Sequence, residues 1–227
     1  MAYVYPLVTT LVCLVFGARV WGDWRARRRP YQLLWSISLF LGAIGSLAYV
    51  LTMALGGNAF FFKLYYLAGA LLVAPVLGLG SSYLVLPLGY ARVLAILVAI
   101  LGAVAAVGIF ASPVDRVALS ILRGGPGQGI LQGRSWLGPL IVLQIYGTIA
   151  VVLPALASAW RLITRQGNRA LAWGNILIAA GVIVIAAAGT AARFGSGWFW
   201  PVMTLGWIIT FWGFLTISRQ VKLGGMR

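Results

Sequence analysis

Polar and charged residues fall in short clusters along the chain, and the intervals between the clusters are almost wholly apolar. About 20 apolar residues as a helix cross the hydrocarbon of a bilayer. Seven intervals reach that length: 2–21, 31–51, 60–84, 92–110, 137–160, 171–192 and 198–218. They predict an all-α integral membrane protein, one seven-helix bundle forming a single domain. The first interval has no basic residues ahead of it, so it reads as a span with a translocated N-terminus rather than a cleaved leader. The connection 111–135 is the one long link. Within it Ser112-Pro113-Val114-Asp115 reads as a helix cap, a proline at the first helical position and an acid two residues on. Val114, Val117 or Ala118, and Ile121 would line one face, and Arg116, Ser120 and Arg123 the other. This predicts a short helix on the membrane surface, stopped by Gly124-Gly125 and followed by a flexible Gly-Pro-Gly-Gln-Gly stretch. The link reads either as a tether or as a lid or partner contact. Gly127 and Gly129 lack the strand context and the Gly-Lys-Ser/Thr ending of a phosphate loop.

Composition sharpens the class. The 227 residues are 62% hydrophobic and 8% charged, against about 25% charged in soluble domains. The net charge of +15 would suggest a polyanion partner in a soluble protein. Here it sorts by side of the membrane, and no nucleic acid is expected. With the N-terminus outside, twelve of the 17 cations fall inside: Arg19, Arg25, Arg27, Arg28 and Arg29, then Arg92, then Arg161, Arg165 and Arg169, then Arg219, Lys222 and Arg227. Lys63, Arg116, Arg123, Arg134 and Arg193 fall outside. Cytoplasmic loops favour Lys and Arg, so the chain is expected N-out and C-in, in a bacterial cytoplasmic membrane. Arg25, Arg27, Arg28, Arg29, Arg161, Arg165 and Arg169 would meet anionic lipid headgroups. No cation lies near the middle of a span. Tyr3, Tyr5, Trp21, Trp24, Tyr31, Trp35, Trp136, Trp160 and Trp198 fall near span ends, as an interfacial aromatic belt does.

Missing residues exclude chemistry. There is no His, hence no imidazole for a metal, for haem or for a nucleophilic triad. Asp23 and Asp115 are the only acids, too few and too peripheral for paired-carboxylate catalysis or a proton relay inside the membrane. Asp23, four residues from Arg19 and from Arg27, reads as local charge balance. Cys13, inside an apolar run, reads as a small buried hydrophobe. Catalysis is not expected, and neither is a cofactor.

Sliding the chain by 138 residues lays 31–67 over 169–205. Identical pairs are Leu33/Leu171, Trp35/Trp173, Leu39/Leu177, Ala48/Ala186, Thr52/Thr190, Gly57/Gly195, Phe61/Phe199 and Leu67/Leu205. Phe60-Phe61-Phe62 falls on Trp198-Phe199-Trp200. The offset superposes spans two and three on six and seven. It suggests two parallel three-helix units joined by an inverting fourth span. That order resembles the layout of the SWEET-type sugar transporters, and the N-out seven-helix layout resembles that of microbial rhodopsins. The residues depart from both: span seven has no lysine for retinal, no carboxylate counter-ion is present, and no Pro-Gln dipeptide occurs. Covalent retinal is therefore not expected. Layout alone does not carry function.

A few polar and aromatic positions could line a site. Trp200, Trp207, Phe211 and Phe214 share one face of span seven, with Trp207 near mid-depth. They read as one wall of an apolar ligand pocket or as packing. Gln144 and Thr148 on span five, and Asn175 on span six, read as contacts to a bound molecule or as interhelical glue. Pro75 and Pro154 should kink spans three and five. Gly42/Ser46 and Gly102/Ala106 are spaced for close helix packing, within the bundle or between copies. Three functions stay open: a non-enzymatic transporter or carrier of a small neutral or apolar solute; an accessory or scaffold subunit bound to membrane partners or to further copies of itself; and a rhodopsin-like sensor or non-covalent binder of an apolar ligand. Reversing the charge of Arg25, Arg27, Arg28 and Arg29 should disturb insertion of spans one and two. Fusion reporters on either side would register the change, and unaltered reporter topology would defeat the orientation.

Overall fold

The computed structural model describes residues 3–192, 194 and 197–224, side chains excepted at 221–224. Arg193, Gly195 and Arg227, and the Lys222 side chain, lie outside the described residues, as does the predicted start at Ala2. Seven helices are long and apolar enough to cross a membrane: Val4–Arg27, Pro30–Ala54, Ala59–Val85, Leu88–Ala111, Leu137–Thr164, Arg169–Ala192 and Phe199–Gly224. At 1.5 Å per residue, 24 residues cover about 36 Å, more than the roughly 30 Å of hydrocarbon. The chain is therefore a polytopic membrane protein. Charged residues do not stop the helices where hydropathy falls: the first runs to Arg27 and the fifth to Thr164, because Arg and Lys are good helix formers. Local chemistry does the stopping. Arg28 and Gln166 take left-handed conformations at helix ends, and Pro30 opens the second span. The Asn168 side chain accepts from Ala170 and Leu171 N–H and donates to Gln220, tying spans six and seven together.

Six spans close a ring in which each touches the next, in the order one, two, three, five, six, seven and back to one. The fourth span, the most apolar of the seven, lies outside this ring against spans three and five. The ring has a loop end, carrying the 112–135 connection, and an arginine end, carrying Arg25–Arg29 and Arg161–Arg169. Its middle is filled. Cys13, Phe16, Leu39, Ala43, Val73 and Trp207 form one buried cluster, with Met203, Ile185, Phe211 and Phe214 packed against it. A second cluster fills the loop end.

Glycines set how closely the spans approach. Gly174 and Gly181 on span six meet Gly213 and Gly206 on span seven: a Cβ on Gly181 would sit 2.7 Å from the Gly206 carbonyl oxygen, and one on Gly213 2.7 Å from that of Gly174. Gly45 lies on Gly69 between spans two and three, and Gly78 and Gly147 lie together between spans three and five. Packing drives helix association in lipid, where the hydrophobic effect between helices is lost. Of the two pairs expected from spacing, Gly42 meets Cys13 and Ser46 bonds Thr10, so the first seals spans one and two. Gly102 faces Leu72.

Span three carries an irregularity beyond the proline kink expected of it, and two local expectations are corrected. Residues Tyr66–Leu72 of span three form a π-helical turn just before Pro75. The loop helix is only Arg116–Ser120 and is capped by Asp115, whose side chain accepts from Val117 and Ala118 N–H. Ser112 instead ends span four, donating to the Gly108 carbonyl, because the helix continues to Ala111 and consumes the proposed cap. Trp136 is 9% exposed and packs on Gly108, so it belongs to the core rather than to an interfacial belt. Gly147→Ala, whose new methyl would overlap the Ala74 and Pro75 backbone, should cost about 1–3 kcal/mol and lower the thermal midpoint. Gly138→Ala on the same span has open space and should leave the midpoint unchanged or raise it.

Candidate functional site

Among the described residues, polar groups, aromatic rings and a connecting segment converge at the loop end. The two arms of the 112–135 connection pair with each other. Val114 and Leu131 form an antiparallel bridge, Asp115 N–H donates to the Ile130 carbonyl at 2.9 Å, and Gln132 N–H donates to the Pro113 carbonyl at 3.0 Å. Leu119, Ile130 and Leu131 are buried beneath them, and the turn at Gly57 lies against Leu119 and Ser120. This explains why the apolar side chains of the loop helix divide: Leu119 packs inward, while Val117 and Ile121 remain exposed. Lys63 Nζ donates to the Phe110 carbonyl at 2.6 Å, a cation placed at the negative end of the fourth span's dipole.

Beyond the arms, the Gly-Pro-Gly tip turns down into the bundle. Three tyrosines donate to three successive tip carbonyls: Tyr49 to Gly125 at 2.5 Å, Tyr65 to Pro126 at 3.5 Å and Tyr66 to Gly127 at 3.3 Å. Gly127 has φ +74, and a Cβ there would meet the Phe62 ring at 2.5 Å; both features require glycine. Rings surround the tip. Tyr49 lies 4.7 Å from Trp200 and 5.1 Å from Tyr65, and Tyr66 lies 5.5 Å from Trp136. The indole N–H groups of Trp136 and Trp200 are buried and have no hydrogen-bond partner among the described residues. The Trp200 edge is turned to the Tyr49 hydroxyl but stays short of a hydrogen bond. At about 1 kcal/mol net per bond, the three tyrosine contacts contribute about 3 kcal/mol. Ordering three backbone residues costs about 3–6 kcal/mol, so ring packing must hold the tip in place. Gln32 Oε1, in the first turn of span two at the arginine end, is likewise buried without a partner.

The residues singled out from sequence do not gather in one place. Trp200 is a wall of the loop-end chamber. Trp207 is 3% exposed and packs in the central cluster with Phe211 beside it; Phe16 stacks on Phe211 and Phe214 at 4.9 and 5.0 Å. The aromatic face of span seven is thus divided between two clusters. Gln144 Nε2 donates to the Ala70 carbonyl. In a π-helical turn a carbonyl looks five residues ahead; for Ala70 that residue is Pro75, which has no N–H. Gln144 supplies the missing donor from the neighbouring span. Thr148 lies one turn further on, half-buried. Asn175 donates to the Leu171 carbonyl within its own helix. Sequence reasoning passed over Tyr49, Phe62, Tyr65 and Tyr66. The available signal was three tyrosines within otherwise apolar stretches near span ends and a Gly-Pro-Gly segment at the same end.

Spans one and seven are joined by Thr9 and Thr204, whose hydroxyls lie 2.8 Å apart, and spans one and two by Thr10 and Ser46, also at 2.8 Å. Two shallow grooves open on the outer surface of the bundle. One, of about 360 Å³, is lined by Phe211, Trp212 and Arg219 among others. The second, of about 500 Å³, lies along Leu153, Trp160 and Ile176. Compared with known protein families, curated proteins and solved structures, the chain matches none.

Gln144→Ala should cost about 1–3 kcal/mol by stranding the Ala70 carbonyl. In a Pro75→Ala background, where residue 75 regains its N–H, the same substitution should cost markedly less; equal costs in a double-mutant cycle would defeat this account of the π-turn.

Proposed function

We propose that the protein is a non-enzymatic carrier of a small uncharged solute, built from two parallel three-span units with the fourth span as linker. The arginine end faces the cytoplasm of a bacterial inner membrane, and the loop end faces outward. The observation that carries the reading is the ring order. A two-fold axis along the membrane normal, exchanging spans one and five, two and six, and three and seven, maps the set of neighbouring spans onto itself. Packing register agrees with it. Ser38 donates to the Val73 carbonyl between spans two and three. Moving both positions by 138 residues gives 176 and 211, the antiparallel register in which Gly174 meets Gly213 and Gly181 meets Gly206. Ser36, Ala43, Ala68 and Pro75 are the positions corresponding to those four glycines, and all eight are buried.

On this reading spans one and seven, and spans three and five, are the seams between units. Each carries a polar bond, Thr9 to Thr204 and Gln144 to Ala70, that can be exchanged for a solute or for water as the units rock. The packed centre around Trp207 is the closed state of that cycle. A second reading, a subunit of a larger membrane complex, draws on span four. Its exposed row of Val93, Ile96, Leu97, Ile100, Val104 and Val107 suits either lipid or a neighbouring protein.

Cysteine accessibility separates them. In a Cys13→Ser background, Thr9→Cys should react with a membrane-impermeant thiol reagent added from the loop side, and should do so more slowly when the loop tip is cross-linked to span two. Complete protection of Thr9→Cys from both sides, together with a stoichiometric partner on native purification, would replace the carrier reading with the subunit reading.

A further inference from the structure

The chamber under the loop tip is rich in hydrogen-bond donors. Tyr49, Tyr65 and Tyr66 donate to the tip carbonyls, and Trp136 and Trp200, each about nine-tenths buried or more, add two indole N–H groups: that of Trp136 has no hydrogen-bond partner among the described residues, and that of Trp200 is turned to the Tyr49 hydroxyl. Among the described residues the walls are aromatic faces and carry no charge of their own. The nearby Lys63 is engaged with the Phe110 carbonyl. Such a site suits a ligand with apolar surface and several acceptor oxygens. A cation would leave the indole donors unpaired, and a carboxylate would enter without a counter-charge.

The tip shows what fits. It presents three successive peptide carbonyls, and Pro126 brings no N–H that would need an acceptor. Gly127 lets the backbone lie on Phe62 where any side chain would collide. The arms of the connection are fastened separately, by the Val114–Leu131 bridge and the hydrogen bonds of Asp115 and Gln132. Ile130 N–H also donates to the Gly127 carbonyl at 3.4 Å, so displacing the tip gives up that bond and leaves the bridge between the arms in place.

We propose that this chamber binds a short uncharged peptide through its backbone carbonyls, and that the Gly125–Gly127 tip occupies it as an internal ligand that the peptide displaces. The proposal deepens the carrier reading and rests on it for passage across the membrane, whereas binding is tested separately. A tethered tip competes at an effective concentration in the millimolar range, so the intact chain should bind a free peptide weakly, and expelling the tip should strengthen binding.

The probe is acetyl-Gly-Pro-Gly-amide, titrated into the purified full chain in lipid nanodiscs. Gly127→Ala, which forces the tip off Phe62, should bind it at least about tenfold more tightly than the parent. Adding Tyr49→Phe, Tyr65→Phe and Tyr66→Phe to that variant should remove at least about tenfold, one lost hydrogen bond or more. Equal affinity of parent and Gly127→Ala, or indifference to the three tyrosines, would overturn the site. If Gly127→Ala does not fold, a polarity-sensitive dye on Arg123→Cys in a Cys13→Ser chain reads the tip directly. A saturable change on adding the probe supports displacement, and no change overturns it. Proteoliposome uptake of the labelled probe then separates the two claims. Binding without uptake leaves the chamber and removes the carrier, and uptake indifferent to the tyrosines removes the chamber as the entry site.

Discussion

Every backbone carbonyl and N–H inside a bilayer must find a partner within the protein, because hydrocarbon offers none. The rest of this molecule depends on that constraint. It makes the spans helical from end to end, and it decides how each irregularity is repaired. The π-turn of span three ends just before Pro75, which has no N–H to give, and Gln144 reaches across from span five to donate to the Ala70 carbonyl. A polar side chain in a lipid-facing bundle is therefore spent on backbone geometry, and the same contact fastens two spans together. At the loop end a non-helical segment descends among the rings, and the tyrosine hydroxyls cap its carbonyls one by one.

Satisfying backbone groups inside each helix leaves packing to hold the helices together. Glycine supplies the close approaches between spans two and three, three and five, and six and seven. Larger side chains fill what the glycines leave open, Trp207 and Phe16 in the middle and Phe62, Tyr65 and Trp200 at the loop end. The closest of these glycine approaches lie between spans six and seven and between spans three and five. The tip is held by three neutral hydrogen bonds and by ring contacts.

Much of the fold was legible in the residues. Apolar runs between polar clusters give seven spans, and the distribution of arginine gives two chemically distinct ends. The proposed repeat rests in sequence on Trp35 and Trp173 and on the aromatic triplets. The small buried positions at Ser36/Gly174, Ala43/Gly181, Ala68/Gly206 and Pro75/Gly213 could have been aligned from the same offset, but glycine is too frequent in this chain for spacing alone to single them out. The candidate site was legible only in pieces. Trp200 was noticed for its place on a helical face and Gln144 for its polarity. Tyr49 lies on span two and the adjacent Tyr65 and Tyr66 on span three, and no periodicity joins them to Gly125–Gly127.

Sequence by itself determined the class of the molecule, its seven spans, the chemical difference between its ends and the scarcity of acids beside a complete lack of His, because these follow from residue type and from the length needed to cross hydrocarbon. Tertiary structure decided the ring that leaves span four outside, the burial of Trp136 and the descent of the loop tip among the tyrosines. Those depend on which helices meet and at what height, and such contacts join residues far apart in the chain, 76 positions for Tyr49 and Gly125 and 195 for Thr9 and Thr204, through packing that no local pattern encodes.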